Sequence, residues 1–504
     1  MKTLEYTRLS QCDSTVGLPV IPWLAIAHSS PCNLKARARR PNPMKEMYKY
    51  VSNTRRMVSL ANGDPHFSLY PIRRIEFEMA SIDVDDPVAS WRTGGPDARS
   101  QKISSSKDEP SALCIKNALQ YTHGAGLPDA LRAISELSNF YHPSPGQHEV
   151  TLTLGNADGI TKCFRLLGEP GDYFLADEFA FPGMVNAALP HGIKWVPVRM
   201  DEGGAVPEEL EKLLAGWDTA RGRRPHVLYS VPCGQNPTGS TLTLERRKKI
   251  YAIAQKYDVI IIEDDPYYFL HYDSPESQST AIVKPFIPSF LTLDVDGRVM
   301  RIDSFSKVMA PGMRLGWITC NPLFYEHLVS YTDSSTQHPH AFGQILVTEL
   351  LSEAGWQLQG FDKWVRSLCK EYQRRRDFFL ELFAREVSKD GFATAAVPEA
   401  GMFVWIKVNL EKHPRYKNAI TNGTSARTNT IQLMDELFKK SLDAGLVIMP
   451  ASIFAIRTDS KHSDDEELIE DRCNFLRATF AGAEEVMEEG LTILGRVLSQ
   501  FFAN

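Results

Sequence analysis

The stretch "HVLYSVPCGQNPTGSTLTLERRKKIYAIAQKYDVIIIED" (residues 226–264) decides the fold class of this chain. It contains two short β-rich runs, 226–231 and 258–264, and the segment between them, 244–257, carries apolar side chains at helical spacing. A strand, a helix and a second strand in this order form a βαβ unit, whose two strands run parallel in one sheet. The stretch therefore predicts an α/β protein with a mostly parallel sheet.

The same alternation continues on both sides of this unit. Further β-rich runs, separated by helix-like segments, lie at 149–154, 194–198 and 299–305. After about residue 345 come long helical patterns, followed by the strand-like runs "MFVWIKV" (402–408) and "GLVIMP" (445–450). These last runs predict a smaller α+β domain towards the C-terminus.

Several polar stretches interrupt the pattern. Residues 1–45 show no sustained periodicity, and we predict a poorly ordered arm there. Stretches rich in glycine, serine and charge predict surface loops at 92–111, 411–429 and 457–468.

The composition is that of an ordinary globular protein. The 504 residues are 43% hydrophobic and 23% charged, and the net charge of -6 gives no basic footprint for a nucleic acid. The longest apolar run near the start, 18–27, is interrupted by Pro22 and is shorter than a membrane span of about 18–20 residues. The eight cysteines form no CxxC pair and no zinc spacing, so we expect a cytosolic protein without a metal site.

Ligands of open α/β sheets bind beyond the carboxyl ends of the strands, and the first chemical motif lies there. In "DSFSKVMAPGMRLGW" (303–317), Lys307 follows a strand among hydroxyl residues, and Arg314 follows a Pro-Gly turn. The amine of Lys307 can attack an aldehyde only when neutral, which requires a lowered pKa. This loop therefore predicts a phosphate-binding site formed by two hydroxyls, a lysine and an arginine. The alternative is that Lys307 is an ordinary surface lysine in a serine-rich turn.

Two further motifs follow neighbouring strands. In "IIIEDDPYYFL" (260–270), Asp264 ends an apolar run, and a buried carboxylate there needs a cation such as a protonated pyridine nitrogen. A solvated acidic turn is the alternative for Glu263 or Asp265. In "VPCGQNPTG" (231–239), the Asn236 amide either donates to a phenolate-like oxygen or belongs to a structural turn.

The last two motifs indicate anion binding. "LTLGNADGITKCF" (152–164) runs from a strand into a helix, whose free N–H groups and positive dipole end form an anion site, unless Asn156 or Asp158 simply caps the helix. Arg477 lies in a strand-like run within 472–485. Its planar guanidinium suits a carboxylate, and an internal salt bridge is the alternative.

Together these strings resemble the class I aminotransferases of pyridoxal-phosphate (PLP) fold type I, from about residue 55 to the C-terminus. "SFSK", "PGMRLGW", "EDDPYY" and "NPTG" carry the resemblance, which is strongest to fungal aromatic, kynurenine and 2-aminoadipate aminotransferases. The resemblance implies a large domain with a mostly parallel seven-stranded sheet and a smaller α+β domain. It divides the chain into an N-terminal segment for the small domain and dimer contacts (46–120), a large PLP-binding domain (121–345) and a small domain (346–504).

The resemblance also implies how the cofactor is held. Lys307 carries PLP as a Schiff base and moves the proton of the reaction, while Asp264 pairs with the pyridinium nitrogen. Tyr267 and Asn236 bind the phenolic oxygen, and Phe181 stacks on the ring. The groups implied for the phosphate are the side chains of Ser304, Ser306 and Arg314, the backbone at Asn156 and Ala157, and Tyr121 reaching the cofactor of the neighbouring subunit.

For the substrate, the resemblance implies that Arg477 binds the α-carboxylate and that Gly63 lines the pocket together with Asn236. Two positions depart from the family pattern: "GNAD" (155–158) lacks the usual Ser-Gln pair, and Ala451 stands where a glycine is usual.

The predicted activity is transamination of an aromatic L-amino acid, with 2-oxoglutarate as acceptor, in a homodimer. We expect Tyr268, Phe181 and Phe403 to form an aromatic wall, whereas an acidic donor would turn attention to Arg92 and Arg99. A PLP-dependent carbon–sulfur lyase is the first alternative, because a fold does not determine the reaction. A non-enzymatic regulator is the second, and it needs an N-terminal helix-turn-helix that the proline-rich start does not favour.

Overall fold

The computed structural model describes residues 32–39, 63–272, 286–418, 428–457 and 468–503. Within them the strands are β1 (Arg74–Ala80), β2 (Ser100–Ser106), β3 (Glu149–Thr153), β4 (Tyr173–Asp177), β5 (Lys194–Val198), β6 (Met200–Asp201), β7 (Gly204–Ala205), β8 (Val227–Ser230), β9 (Ile260–Asp264), β10 (Val299–Ser304), β11 (Gly316–Cys320), β12 (Ala393–Ala395), β13 (Phe403–Val408), β14 (Met449–Pro450) and β15 (Phe475–Thr479).

The α-helices alternate with these strands in the first two thirds of the chain. They are α1 (Leu34–Ala38), α2 (Pro87–Gly94), α3 (Ile115–Ala118), α4 (Pro128–Tyr141), α5 (Asn156–Leu167), α6 (Pro182–Ala188), α7 (Pro207–Ala215), α8 (Leu244–Tyr257), α9 (Phe290–Leu293), α10 (Pro322–Asp333), α11 (Ala341–Leu351), α12 (Gln357–Glu386), α13 (Thr430–Asp443) and α14 (Glu484–Phe502). Among the described helices, none combines the length and apolar character that a membrane span requires.

The central sheet has seven strands in the order β3-β11-β10-β9-β8-β4-β5. β11 runs antiparallel to both of its neighbours, and the other strands run parallel to one another. The predicted α/β fold with a mostly parallel seven-stranded sheet is therefore confirmed. β4, which was not predicted as a strand, lies inside the sheet with all five residues buried.

The βαβ unit of residues 226–264 forms as predicted, with α8 between β8 and β9. Thr243 caps α8, its side chain accepting a hydrogen bond from the Arg246 N–H. Ile262 faces the core shared with α5, whereas Ile261 packs against α8. Because side chains alternate along a strand, Asp264 is directed to the face of α5 and Glu263 to the face of α8.

The smaller α+β domain is also confirmed. Its antiparallel sheet has the order β12-β13-β15-β14 and includes both predicted strand regions. The long helix α12 and the terminal helix α14 bury apolar side chains, including Phe383 and Leu498, in the core shared with β13. The predicted boundaries after residues 120 and 345 stay predictions.

The prediction of a surface loop at residues 92–111 is wrong. The end of α2 and the whole of β2 lie there, and β2 pairs with β1 from Arg74↔Ser106 to Ala80↔Ser100. Ile103 is the one large apolar side chain in β2, so hydrophobic alternation does not reveal the strand. Backbone pairing forms it instead, and the buried Ser105 hydroxyl donates to the Leu113 carbonyl at 2.5 Å.

Of the predicted arm, 1–45, the structure describes residues 32–39. They form α1, which packs against α5 and α10. The Asn33 side chain donates to the carbonyls of Arg165 and Gly168, both at 2.7 Å, at the end of α5. The remaining residues of the arm lie outside the described residues, as do 419–427 and 458–467 of the predicted late loops.

Candidate active site

Four side chains lie at or near the ends of strands of the central sheet, and three of them, Asp264, Asn156 and Tyr229, are in contact. Asp264 ends β9, Ser304 ends β10, Tyr229 lies in β8, and Asn156 begins α5 directly after β3. Because carboxyl ends of parallel strands lie at one edge of the sheet, the predicted motifs converge at this edge.

Asp264 is 5% exposed and accepts two short hydrogen bonds. The donors are the Asn156 amide and the Tyr229 hydroxyl, each at 2.5 Å. Burial raises the pKa of Asp264 to about 6, and the two donors oppose that rise. The Asn156 Oδ1 atom is buried and has no partner. A buried carboxylate beside an unsatisfied acceptor is suited to a cationic N–H donor.

Tyr229 was not predicted as a site residue. It is opposite Ile262 in the register of β8 and β9, on the same face as Asp264. The sequence signal that could have identified it is the two-residue alternation of "HVLYSV", which gives Tyr229 this face once β8 and β9 are paired.

Lys307 lies three residues after the end of β10 and is half-buried. Burial lowers the pKa of its amine, and the positive charge of Arg314 lowers it further. Among the described residues, no carboxylate pairs with this amine. The arrangement favours the neutral, nucleophilic amine and not a solvated lysine on a turn.

Arg314 and the serines of the same loop face the junction of β3 and α5. Arg314, in the left-handed conformation at φ 48°, donates to the carbonyls of Pro311 at 2.9 Å and Leu154 at 2.8 Å. A methyl group on Gly155 would lie 2.5 Å from Arg314 Nη2, so glycine is required for this approach. The Ser306 N–H donates to Ser304 Oγ at 2.9 Å.

This junction has the chemistry of an anion site. The first N–H groups of α5, at Asn156 and Ala157, have no acceptor within the helix, and the positive end of its dipole points the same way. With the guanidinium of Arg314 and two hydroxyls, these groups could hold a phosphate.

The small domain supplies the residues of the candidate site that do not come from the central sheet. Arg477, in β15, donates to Asn236 Oδ1 at 2.8 Å and lies between the rings of Phe403 and Phe454, 4.5 and 4.8 Å from their centroids. Burial lowers the pKa of Arg477. No carboxylate of the described residues pairs with it, so the alternative of an internal salt bridge finds no support.

Burial and the charge of Asp264 raise the pKa of Tyr267, and Arg477 and the Asn236 side chain oppose that rise. Tyr267 therefore lies between the Arg477 side and the Asp264 side of the site. The turn that carries Asn236 is anchored by Gln235, whose amide donates to Asp177 at 3.2 Å and to the Phe179 carbonyl at 2.6 Å. The Asn236 amide is therefore held in place by a buried polar chain.

Three predicted residues make no hydrogen bond or ring contact with this group among the described residues of the single chain. Phe181 precedes α6 and is 43% exposed, and Tyr121 is 55% exposed with its ring edge-on to His338. Gly63 is exposed, and a methyl group there would meet no atom within 4 Å. The roles of these three residues stay predictions.

The structure corrects two expectations. Glu263 and Asp265 do not form a solvated turn, because both are buried and pair with Arg301 at 3.0 and 3.2 Å. Tyr268 is not in the aromatic wall, because its ring packs 4.7 Å from the Arg301 guanidinium. Tyr267 and Tyr268 follow one another, and the backbone directs them to opposite sides.

Two of the other positions singled out in the sequence have structural surroundings. Ala451 is fully buried in a cluster with Phe179, Trp405 and Phe454. Arg92 pairs with Glu371 at 3.3 Å.

Comparison with known proteins agrees with this geometry. The model of the family described as aminotransferase class I and II matches residues 88–494. An L-tyrosine:2-oxoglutarate aminotransferase of Serpula lacrymans var. lacrymans is 51% identical, with 93% of this chain and 95% of the relative covered. One of Tapinella panuoides is 47% identical, with coverages of 97% and 98%. The crystal structure of aminotransferase Aro8 from Candida albicans superposes with a TM-score of 0.83 at 30% identity, covering 94% of this chain and 98% of that one.

Proposed function

The chain belongs to the class I and II aminotransferase family, and from this we propose that it transfers the amino group of an aromatic L-amino acid to 2-oxoglutarate. The resemblance predicted from the sequence motifs is confirmed by the family match. Two relatives named L-tyrosine:2-oxoglutarate aminotransferase, each covered almost completely, support the choice of donor and acceptor.

The family implies PLP as the cofactor, and the residues at the sheet edge fit it. The unsatisfied Asn156 Oδ1 and the buried Asp264 suit a protonated ring nitrogen, and Arg314 with the α5 N-terminus suits the phosphate. Lys307, with its lowered pKa, would bind the aldehyde carbon.

Bound PLP supplies an electron-accepting ring that stabilises the negative charge developing at the substrate α-carbon. In the mechanism we propose, the substrate amine displaces Lys307 from the aldehyde carbon, and the freed Lys307 Nζ would then move the proton from the substrate α-carbon to that former aldehyde carbon. Asp264 would keep the ring nitrogen protonated, and Asn236 and Tyr267 would orient the phenolic oxygen. Arg477 would hold the α-carboxylate and so orient the α-carbon towards Lys307.

The observation that carries the donor preference is the pair of phenyl rings, Phe403 and Phe454, beside Arg477, which has no carboxylate partner among the described residues. A planar apolar side chain is stabilised beside such rings by about 25 cal/mol for each Å² removed from water. Phe181, exposed at the start of α6, adds a third aromatic face in this proposal.

We further propose that the working unit is a homodimer, located in the cytosol. Apolar side chains of the N-terminal segment, Phe67 and Leu69, are exposed together with Tyr121 and Phe342. The segment before Phe342 contacts the loop that carries Arg314: the His340 ring hydrogen-bonds the Met313 carbonyl at 3.0 Å. A second subunit would cover this surface and bring Tyr121 to the partner's cofactor. The cytosolic location is supported by the free thiols of the described cysteines.

A panel assay tests the function. The purified protein is incubated with PLP, 2-oxoglutarate and one of phenylalanine, tyrosine, tryptophan, kynurenine, 2-aminoadipate or aspartate, and glutamate and the oxo acid are quantified. We expect the highest kcat/KM for an aromatic donor, with one glutamate formed for each oxo acid. Higher values for aspartate or 2-aminoadipate would contradict the aromatic preference. Release of ammonia or thiol without glutamate would indicate the lyase reaction instead.

A further inference from the structure

A cavity of about 270 Å³ lies away from the carboxyl ends of the strands and from the candidate active site. It is enclosed by α1, the C-terminal end of α5 and α10. The cofactor site adjoins the first residue of α5, and Arg165 of the cavity lies in its last turn. The helix has 12 residues and is about 18 Å long. The two sites are therefore at opposite ends of one helix.

The lining of this cavity is strongly cationic, and the residues that the structure describes there include no carboxylate. Lys35, Arg39, Lys162 and Arg165 all contribute to it. Lys162 is buried and pairs with Asp158 at 2.8 Å, whereas Lys35, Arg39 and Arg165 form no ion pair within the described part of the chain. Half-burial of His191 lowers its pKa, and the positive charges of Arg165 and Lys35 lower it further. The interior of the cavity is therefore at positive potential.

Neutral groups hold the two guanidinium groups in place. Both lie over the ring of Tyr331, at 4.7 Å for Arg39 and 5.4 Å for Arg165. Arg165 donates to the Tyr331 hydroxyl at 2.5 Å, and Arg39 donates to Ser334 Oγ at 2.6 Å. These contacts orient the arginines without a carboxylate partner among the described residues, which is an arrangement that suits anion recognition.

The end of α5 does not account for these cations. Cations are stabilised near a helix C-terminus, but the Asn33 amide already satisfies the carbonyls of Arg165 and Gly168 there. Lys35, Arg39 and Arg165, which have no ion pair among the described residues, repel one another around this cavity, and a bound anion would relieve that repulsion.

We propose that this cavity binds a small phosphate-bearing anion. A phosphate group carries between one and two charges on three acceptor oxygens, so it matches several cations in a small volume better than a single carboxylate does. Two oriented guanidinium groups and the amine of Lys35 would contact its oxygens. The proposal is independent of the reaction at the sheet edge.

Calorimetric titration of the holoenzyme tests the proposal. PLP-saturated protein at low ionic strength is titrated with pyrophosphate and, separately, with acetate. We expect one pyrophosphate site for each chain and much weaker binding of acetate. Arg165→Gln and Arg39→Gln should each weaken pyrophosphate binding about tenfold or more, since a charged hydrogen bond is lost. Neither variant should change transamination or the melting temperature appreciably, because neither residue contacts the site at the sheet edge.

Arg224→Gln is the matched control. Arg224 is exposed, and its guanidinium lies 5.3 Å over the ring of Tyr257, outside the cavity. Its replacement should leave pyrophosphate affinity unchanged. Absence of pyrophosphate binding to the native holoenzyme would overturn the proposal. Unchanged affinity in both cavity variants, or an equal loss in Arg224→Gln, would overturn it as well.

Discussion

At the scale of single residues, burial changes the charge balance of the groups that matter for the reaction. Burial raises the pKa of Asp264 to about 6 and lowers the pKa values of Lys307 and Arg477. Each shift disfavours the charged form of a group that has no ion-pair partner among the described residues. In the proposed complex, Asp264 would pair with the ring cation of the cofactor and Arg477 with the carboxylate of the substrate. The neutral amine of Lys307 would bind the aldehyde of the cofactor.

Arg314→Gln should raise the pKa of Lys307 towards its usual value, because a neighbouring positive charge disfavours the protonated amine. Competitive acetylation of the cofactor-free protein, followed by peptide mass spectrometry, gives the pH midpoint of Lys307 labelling. The midpoint should move to higher pH in Arg314→Gln. Arg132→Gln, at an exposed pair with Asp129, is the control and should leave it unmoved. An unmoved midpoint in Arg314→Gln would show that Arg314 does not tune the amine.

Arg477→Gln should reduce kcat/KM for every amino donor roughly 10- to 100-fold, since a charged hydrogen bond to the substrate is removed. Arg477→Lys should recover only part of the loss, because an ammonium lacks the planar fork. Cofactor absorbance should be preserved in both variants. Steady-state kinetics with several donors provides the measurement, and a loss confined to one donor would point to a side-chain role instead.

At the scale of elements, the site is assembled by strand ends and helix starts of fixed geometry. α5 begins at the end of β3, and the Gly155 backbone at φ 93° brings its first N–H groups to Arg314. On the other face of β9, Glu263 and Asp265 pair with Arg301, which also binds Asp303. Strand alternation thus separates a ligand-binding carboxylate from carboxylates that are paired within the fold.

Gly155→Ala should weaken PLP binding about tenfold, because the added methyl group displaces Arg314 and removes a charged hydrogen bond to the phosphate. Gly171→Ala is the matched control, since Gly171 has a φ of 96° but open space around its Cα. Both variants bear the backbone strain of a left-handed alanine. Absorbance titration of the cofactor-free proteins measures affinity, and equal affinities of the two variants would contradict the assigned role.

Arg301→Met should lower the free energy of unfolding by about 3–5 kcal/mol, because it leaves buried carboxylates without their cation. The control, Arg246→Met, breaks a more exposed bidentate pair with Asp201 and should cost about 0–1 kcal/mol. Urea unfolding of the cofactor-free proteins gives both values. Similar losses in the two variants would mean that the buried cluster contributes no more than a surface pair.

At the scale of the whole molecule, the site lies between the seven-stranded sheet and the small domain, and the phosphate side is open. Arg314 and Tyr121 are exposed within one chain. Exposure of a cation and an aromatic residue at the mouth of a site is expected if a second subunit completes it.

Complementation between inactive chains tests the homodimer. If Tyr121 serves the partner's cofactor, a mixture of Lys307→Ala and Tyr121→Ala chains forms mixed dimers with one intact site. After co-refolding we expect roughly a quarter of the native activity, since half of randomly paired dimers are mixed and each has one of two sites. Each variant refolded alone is the control. Activity no higher than that of the single variants, or an active monomer on sedimentation, would contradict the proposal.

The sequence by itself determined the fold class and most of the candidate site. Strand and helix periods are local, so the βαβ unit at 226–264 was predictable, as were Asp264 and Lys307 at strand ends. Only the tertiary structure decided which neighbours these residues have. Tyr229 reaches Asp264 because β8 pairs with β9, and Glu263 is buried because β10 brings Arg301 opposite it. β2 forms through backbone pairing with β1, which leaves little trace in side-chain hydrophobicity. Periodicity specifies the face of a residue, whereas strand order specifies what lies against that face.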